Sequence, residues 1–365
     1  MRWAADGRNV TVVMVAVAAT LLYTASRTAA SALAGRGRPG GSASLRPGWR
    51  GVGHWLPIAA TALVAAARGH ADVAVALAFA TSVCCLSFVL GVLLYLSPLH
   101  ELPATRRAWP FVLPAALLSL IAGFSGHLNW IHALAMMLLG GALVSVWRDP
   151  ALCEPSPAAP PFAEGSTDPV TTRVGWYRAA EFALSVALAV VGGWYALNGV
   201  VRASAASHLF PPATLAVVIL SPLVTLPMLN PSPADAPRGE TGSAVSTLVA
   251  VATLNLCALL PLLAIVWHVR TALAGPAVLP GAAQLSAATT RAVEPVSLWS
   301  LFERGSPLPF PLPTWRVDAV VLTVLGFVLI PVSLGRWELR RAEAVGLILG
   351  YAVYLILVAF ASLRL

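Results

Sequence analysis

The stretch DVAVALAFATSVCCLSFVLGVLLYLSP, residues 72–98, decides the fold of this chain, because Asp72 is its only charged residue. A helix needs about 20 predominantly apolar residues to cross the hydrocarbon core of a bilayer. A helix also satisfies its own backbone hydrogen bonds, which lipid cannot do. The stretch therefore predicts a transmembrane helix.

Similar apolar runs recur on both sides of this stretch, and several are interrupted by Gly or Pro. The ten predicted spans cover residues 9–34, 52–68, 72–98, 108–125, 127–147, 179–203, 210–229, 243–269, 317–335 and 342–362. Of the 365 residues, 58% are hydrophobic and 10% are charged, whereas a soluble domain has about 25% charged residues. We therefore expect an all-α membrane protein of about ten transmembrane helices.

The formal net charge is +8, and its basic residues are arginines scattered between the apolar runs. Scattered arginines suit a surface of anionic lipids, whereas nucleic-acid binding needs a concentrated basic patch. The larger share of the arginines lies in the loops near 35–51, 99–107, 148–178, 230–242 and 336–341. The positive-inside rule then places both termini outside. We expect a protein of the bacterial inner membrane whose main partner is the lipid bilayer, with no nucleic acid.

The four cysteines, Cys84, Cys85, Cys153 and Cys257, show no metal-ligand spacing and are interpreted as small apolar fillers. The Walker loop, HExxH, GxSxG and dinucleotide fingerprints are all absent from the sequence. The sequence therefore predicts no metal site, no cofactor and no enzymatic activity.

The first apolar run allows two interpretations. Arg2 and Arg8 precede it and residues 32–34 resemble a signal-peptidase site, so residues 1–34 have features of a cleaved signal peptide. The internal symmetry of the chain favours a retained first helix.

Repeated features divide the chain into two halves of five predicted spans. Leu56-Pro57 and Leu226-Pro227 each lie in the second span of a half, and residues 68–70 and 238–240 each precede the third. An odd number of spans per half inverts the halves in the membrane, as in many secondary transporters. The predicted organisation is a first five-helix repeat, a cytoplasmic linker loop and a second five-helix repeat with a long loop at 271–315, namely residues 1–147, 148–178 and 179–365.

Several of these segments resemble the sodium/calcium exchanger family of calcium/cation antiporters. GHADVAV at residues 69–75, followed by Val-Leu-Gly at 89–91, is similar to the first α-repeat of that family. GWYALNG at 193–199 resembles the opening of the family's second half, and residues 335–354 resemble its last helix. The resemblance implies ten spans, termini outside the cell and cation antiport.

The chain departs from the family where the resemblance implies acidic ion ligands. GHWLPI at residues 53–58 stands in place of the family's GTSxPE, so Ile58 occupies the acidic position. LVTLPM at 223–228 places Met228 at the corresponding position of the second half. Because Ca²⁺ sites need carboxylates to offset the charge, both replacements argue against Ca²⁺ transport.

The remaining polar or helix-breaking residues at motif positions are the candidates for an ion pathway. They are His54, Pro57, Thr81, Ser82, Thr225, Pro227, Ser246, Thr247 and Asn255. For each the alternative is structural: hydroxyls bond neighbouring helices for about 0.6 kcal/mol each, prolines kink helices, and a histidine lies at the interface.

Three functions stay open at this point. The first is an exchanger-like secondary transporter that moves a monovalent cation or another small solute. The second is a membrane scaffold or regulator that retains the exchanger fold without transport. The third is an unrelated polytopic membrane enzyme whose 271–315 loop carries the activity.

Overall fold

The computed structural model describes residues 2–34, 47–97, 104–148, 171–229, 241–274 and 306–363. Within these ranges the chain forms ten helices and one pair of two-residue strands. The helices are α1 (Arg2–Ala34), α2 (Pro47–Arg68), α3 (Ala71–Leu96), α4 (Val112–Phe124, after a 3-10 helix at Ala104–Phe111), α5 (Trp130–Arg148), α6 (Thr171–Ser207), α7 (Pro212–Leu229), α8 (241–274), α9 (Leu312–Ser333) and α10 (Arg341–Leu363). Each predicted span corresponds to one of these helices, and the predicted fold class is confirmed.

Eight of the helices are long and apolar enough to cross a membrane, and Ala108–Phe124 forms a shorter apolar helix. The most apolar stretch of α3 has 94% of its residues buried, and that of α8 has 72% buried. In α1, α5 and α10 only 22% of the residues in the corresponding stretch are buried. A helix that is apolar on all sides is buried in the protein or faces lipid. We therefore place α3 and α8 in the middle of the bundle and α1, α5 and α10 at its lipid-facing edge.

The linker and the long loop are shorter than predicted. The helix α6 begins at Thr171, so residues 171–178 of the predicted linker are helical. Residues 271–274 still belong to α8, and α9 begins at Leu312. The remainder of the two predicted segments, residues 149–170 and 275–305, lies outside the described residues.

The two halves share an interruption in their third helices. A π-helical segment, Cys85–Val89, divides α3, and a second one, Asn255–Leu259, divides α8. The first α-helical segments of the two helices begin at Ala71 and Thr241. The helix starts and the π-helical segments of the two halves are therefore both separated by 170 residues. Ser82 and Ala252 are separated by the same number of residues. This is the internal repeat that the twinned prolines predicted.

A tight turn joins α4 to α5 in a helical hairpin. Gly126 adopts a φ of 75°, a left-handed conformation that glycine enters without steric cost. The next residues form β1 (His127–Leu128), which pairs antiparallel with β2 (Leu308–Pro309). The α4–α5 turn and the segment before α9 therefore lie on the same face of the bundle, as a ten-span topology requires.

Candidate functional site

Ser82 and Ala252 mark the centre of the bundle. The Ser82 hydroxyl donates to the carbonyl oxygens of Ala252 at 3.3 Å and of Ala78 at 2.9 Å. Ser82 and Ala252 are 170 residues apart, so each is the other's counterpart in the repeat. Two counterparts related by a two-fold rotation touch only where they meet the axis. The pseudo-two-fold axis between the halves therefore passes between α3 and α8 at this point.

A second hydrogen bond joins the halves beside this axis. The side-chain amide of Asn255 donates to Thr81 Oγ1 at 2.9 Å, and the Thr81 hydroxyl donates to the carbonyl of Leu77 at 2.7 Å. Thr81 and Asn255 are both fully buried. Asn255 Oδ1 has no hydrogen-bond partner among the described residues. Leaving a buried acceptor unpaired costs about 1–3 kcal/mol, so this oxygen is an available ligand for a cation or water.

Thr225 extends the polar centre onto α7. Its hydroxyl lies 3.0 Å from the carbonyl oxygens of Ser221 and Pro222 and 3.2 Å from the Cys84 thiol on α3. The Ser221 and Tyr351 hydroxyls lie near the same thiol, although neither has hydrogen-bond geometry. We call Thr81, Ser82, Cys84, Thr225 and Asn255 the central cluster. None of its members carries a formal charge.

Cys85 and Met228 form a sulfur pair next to the central cluster. The Cys85 thiol points at the Met228 thioether, with 3.8 Å between the two sulfur atoms. Cys85 is fully buried and Met228 is 6% exposed. The thioether comes from the 3-10 segment Leu226–Leu229 that ends α7. The pair therefore joins the first half of the chain to the second.

The symmetry-related positions on the other side of the axis carry different chemistry. The 170-residue offset relates Cys85 to Asn255 and Met228 to Ile58. Ile58 is fully buried, and α2 packs against the π-helical segment that Asn255 opens. One side of the axis therefore presents sulfur, and the other presents an amide and a hydrocarbon.

The structure brings four of the predicted pathway residues together, Thr81, Ser82, Thr225 and Asn255, and leaves the others outside the central cluster. His54 Nδ1 lies 2.8 Å from Ser26 Oγ, between α1 and α2. Ser246 and Thr247 are buried in α8, but Thr247 is five residues before Ala252, about 7 Å along the helix axis.

The two prolines in the predicted pathway are both buried. Pro57 lies inside α2, and its carbonyl oxygen accepts a hydrogen bond from Thr61 Oγ1 at 2.8 Å. Pro227 lies in the 3-10 segment that ends α7. Both positions break regular α-helical bonding in the second helix of a half, because proline has no backbone N–H.

The helix α9 carries a buried carboxyl group that was not predicted from the sequence. Asp318 is fully buried, and its Oδ1 accepts a hydrogen bond from the Tyr354 hydroxyl of α10 at 2.7 Å. Its Oδ2 has no partner among the described residues. Asp318 is the seventh residue of α9, where an aspartate resembles an interfacial residue. The burial of Asp318 and its contact with Tyr354 distinguish it from an interfacial aspartate.

Comparison with known proteins agrees with this architecture. Residues 52–146 match the family described as sodium/calcium exchanger protein. A crystal structure of the H⁺/Ca²⁺ exchanger CAX superposes with a TM-score of 0.66 at 12% identity, covering 98% of this chain and 86% of that one. The sodium-calcium exchanger NCX_Mj superposes with a TM-score of 0.54 at 15% identity, covering 94% and 97%. No curated protein matches the sequence. At these identities the superpositions establish the fold, and the predicted family resemblance is confirmed.

Proposed function

We propose that this chain, which resembles the sodium/calcium exchangers in the family match of residues 52–146 and in its fold, is a secondary transporter. Its cargo is a monovalent cation, or another small solute, that passes through the central cluster. The observation that carries the proposal is the Thr81–Asn255 hydrogen bond beside the repeat axis, next to an unpaired Asn255 oxygen. Secondary transporters bind their substrates near the midplane at the interface of their repeats.

The helix interruptions support a binding role for this region. Cys85–Val89 and Asn255–Leu259 are π-helical, and a third π-helical segment, Ala216–Leu220, precedes Ser221 on α7. Single-turn π segments inside α-helices frequently occur at functional sites. Here all three adjoin the central cluster.

Ca²⁺ is not the expected cargo. A Ca²⁺ ion takes six to eight oxygen ligands, and tight sites use carboxylates among them. The central cluster has hydroxyl, amide and carbonyl oxygens, while Ile58 and Met228 occupy the positions where the resemblance implies acidic ligands. A divalent charge without a counter-charge is costly in a low-dielectric interior, and a monovalent charge costs much less.

A scaffold or regulator without transport activity is the alternative. It is favoured by the hydroxyls of Thr81, Ser82 and Thr225, each of which donates to a carbonyl of its own helix. These bonds give each hydroxyl a structural role within its own helix that needs no cargo. A scaffold and a transporter differ in flux, and the exchanger-type fold gives no reason to propose an enzymatic reaction.

Flux into proteoliposomes tests the proposal. Purified protein is reconstituted, and uptake of radiolabelled Na⁺, Rb⁺, Ag⁺ and Ca²⁺ is followed under opposing Na⁺ or H⁺ gradients. We expect uptake of a monovalent ion above that of empty liposomes, with no uptake of Ca²⁺. Uptake equal to empty liposomes for all ions would favour the scaffold, and Ca²⁺ uptake would refute the cargo assignment.

Variants connect flux to the central cluster. Asn255→Ala and Thr81→Ala each remove one partner of the bond across the axis, so we expect the flux to fall at least about tenfold. Ser119→Ala is the matched control, because Ser119 is a fully buried serine of α4 that bonds only its own helix at Ala115. If Ser119→Ala lowers flux as much as the other two, the central cluster is not the pathway.

A further inference from the structure

The sulfur pair has a chemistry that the hydroxyls and amide of the central cluster do not share. From it we propose that the cargo is a soft monovalent cation of the Cu(I) type, bound between the Cys85 thiolate and the Met228 thioether. This rests on the proposed transport function and names its substrate class. Thiolate and thioether ligands favour soft cations such as Cu(I), and thiolates also bind zinc, whereas hard ions prefer oxygen.

The geometry of the pair suits one ion. The sulfur atoms are 3.8 Å apart. An ion about 2.3 Å from each sulfur, as in zinc thiolates, would see them at an angle of roughly 110°. This angle is compatible with three-coordinate binding. Asn255 Nδ2 bonds Thr81, which lies one helical turn before Cys85 on the same face of α3. Asn255 is therefore held against the face of α3 that carries Cys85.

The charge balance accounts for the missing acidic residues. One thiolate carries one negative charge, so a bound monovalent cation makes the site neutral without an aspartate or glutamate. Binding proceeds as Cys85–SH plus Cu(I) giving Cys85–S–Cu(I) plus H⁺, while Met228 donates a lone pair. The copper keeps its oxidation state, no electron moves, and one proton leaves for each cation that enters. Binding of one cation at the site is therefore coupled to the release of one proton.

The surroundings of the pair leave the thiol as the group that exchanges its proton. The titratable groups near Cys85 are Cys84 of the same helix and Tyr351 of α10. The segments of α7 and α8 that pack against Cys85–Val89, Leu226–Leu229 and Thr241–Leu254, contain no charged or titratable residue. No fixed positive charge in those segments therefore opposes an entering cation.

A third buried cysteine shows what a packing role looks like. The Cβ of Cys257 lies against Gly140 of α5, where a side chain on that glycine would meet it at 3.3 Å. Cys257 fills the space that the glycine leaves and has no sulfur partner in the described part of the chain. It is a matched control, because it is a buried thiol in a π-helical segment, like Cys85.

Binding of Ag(I), a redox-inert ion with the ligand preferences of Cu(I), tests the proposal on the full-length protein in detergent. Equilibrium dialysis against a competing thiolate buffer gives stoichiometry and affinity, and X-ray absorption gives the number of sulfur ligands. We expect one Ag(I) per chain with at least two sulfur ligands in the wild type and in Cys257→Ala. Changes around metal ligands already cost about 10–100-fold in affinity, so Cys85→Ala should weaken binding at least a hundredfold.

Met228→Leu is the second variant, because it keeps the side-chain volume and removes the sulfur. We expect Ag(I) to lose one sulfur ligand while the melting temperature of the apoprotein stays at the wild-type value. No Ag(I) binding by the wild type, or full-affinity binding by folded Cys85→Ala and Met228→Leu, overturns the soft-cation site. Rb⁺ or Na⁺ flux would then still support transport. Ag(I) bound by the sulfur pair without Ag(I) uptake into proteoliposomes would leave the site standing and refute transport.

Discussion

At the scale of single residues, Ile58 and Met228 explain why an exchanger fold is not expected to carry Ca²⁺. Both lie in the interior, and neither offers an oxygen ligand. The double variant Ile58→Glu, Met228→Glu returns a carboxylate to each half. We expect it to be less stable than the wild type without Ca²⁺, because buried charges without a partner are costly. We expect Ca²⁺ to raise its melting temperature, because a ligand that binds only the folded state stabilises it.

The measurement is thermal unfolding in detergent with and without Ca²⁺. The wild type and the single variants serve as controls, and we expect their melting temperatures not to respond to Ca²⁺. A double variant that is equally insensitive to Ca²⁺ would show that the two positions do not face a common site.

Asp318 supports a second prediction at this scale. Tyr354→Phe removes the hydrogen bond to the buried carboxyl group, which should cost about 1–3 kcal/mol of folding free energy. Asp318→Asn keeps an oxygen acceptor for Tyr354 and should cost less. Tyr177→Phe is the control, because Tyr177 is 72% exposed. Urea or thermal unfolding of the three variants gives the order, and an equal loss in all three would contradict it.

The sequence predicted part of the site for a physical reason that these residues illustrate. Thr81 and Asn255 lie at positions that the repeat and the family resemblance single out, and the structure joins them. Cys85 and Met228 are 143 residues apart, and only the packing of α3 against α7 brings their sulfur atoms together. Asp318 has no motif around it. Contacts of this kind depend on the crossing of helices, which hydropathy does not encode.

At the scale of elements, the sequence predicted helices more reliably than their internal form. Hydropathy located all ten, because apolar length is sufficient to define a span. Hydropathy did not indicate the π-helical segments Cys85–Val89 and Asn255–Leu259. These segments differ from an α-helix only in that each backbone hydrogen bond spans five residues instead of four. It also set the start of α6 too late, since Thr171–Arg178 is polar but helical.

The crossing of α1 and α2 gives a prediction for an element pair. A Cβ on Gly53 would lie 2.6 Å from the Cα of Ala30, a backbone atom that no side-chain rotation can move away. Membrane helices approach closely where small residues face each other. Gly53→Val should therefore separate α1 from α2, lower the melting temperature and disturb the nearby Ser26–His54 hydrogen bond.

Gly141→Ala in α5 is the matched control, because a Cβ there meets nothing within 4 Å. Melting temperatures of the two purified variants in the same detergent make the comparison. If Gly53→Val unfolds at the wild-type temperature, the close contact between α1 and α2 is not present in the protein.

At the scale of the whole molecule, the ten-span topology makes a prediction about sidedness. We propose that both termini are outside, which puts Ser207 at the end of α6 outside and Glu338 between α9 and α10 inside. Both residues are exposed. A membrane-impermeant maleimide should label Ser207→Cys in intact cells and Glu338→Cys only after permeabilisation. Cys153→Ser removes the one native cysteine that lies in a predicted loop.

The reverse labelling pattern would mean that the protein is inserted with both termini inside. Equal labelling of both positions in intact cells would contradict the odd number of spans, α7, α8 and α9, that separates Ser207 from Glu338. The pairing of β1 with β2 already requires the α4–α5 turn and the segment before α9 to share one face. The labelling experiment decides which side of the membrane that face meets.

The different residues on the two sides of the axis have a thermodynamic consequence. In a transporter with identical halves, the two-fold rotation would convert the inward-open state into the outward-open state, and the two would be equal in free energy. Here a thiol and a thioether on one side of the axis correspond to an amide and an isoleucine on the other. Opening one side would therefore expose different side chains to water than opening the other side. In the proposed transporter the two states of the empty protein would therefore differ in free energy, and the unloaded carrier would have a resting orientation. Transport in one direction would then begin from the more populated state, while transport in the other direction would first have to reach the rarer state.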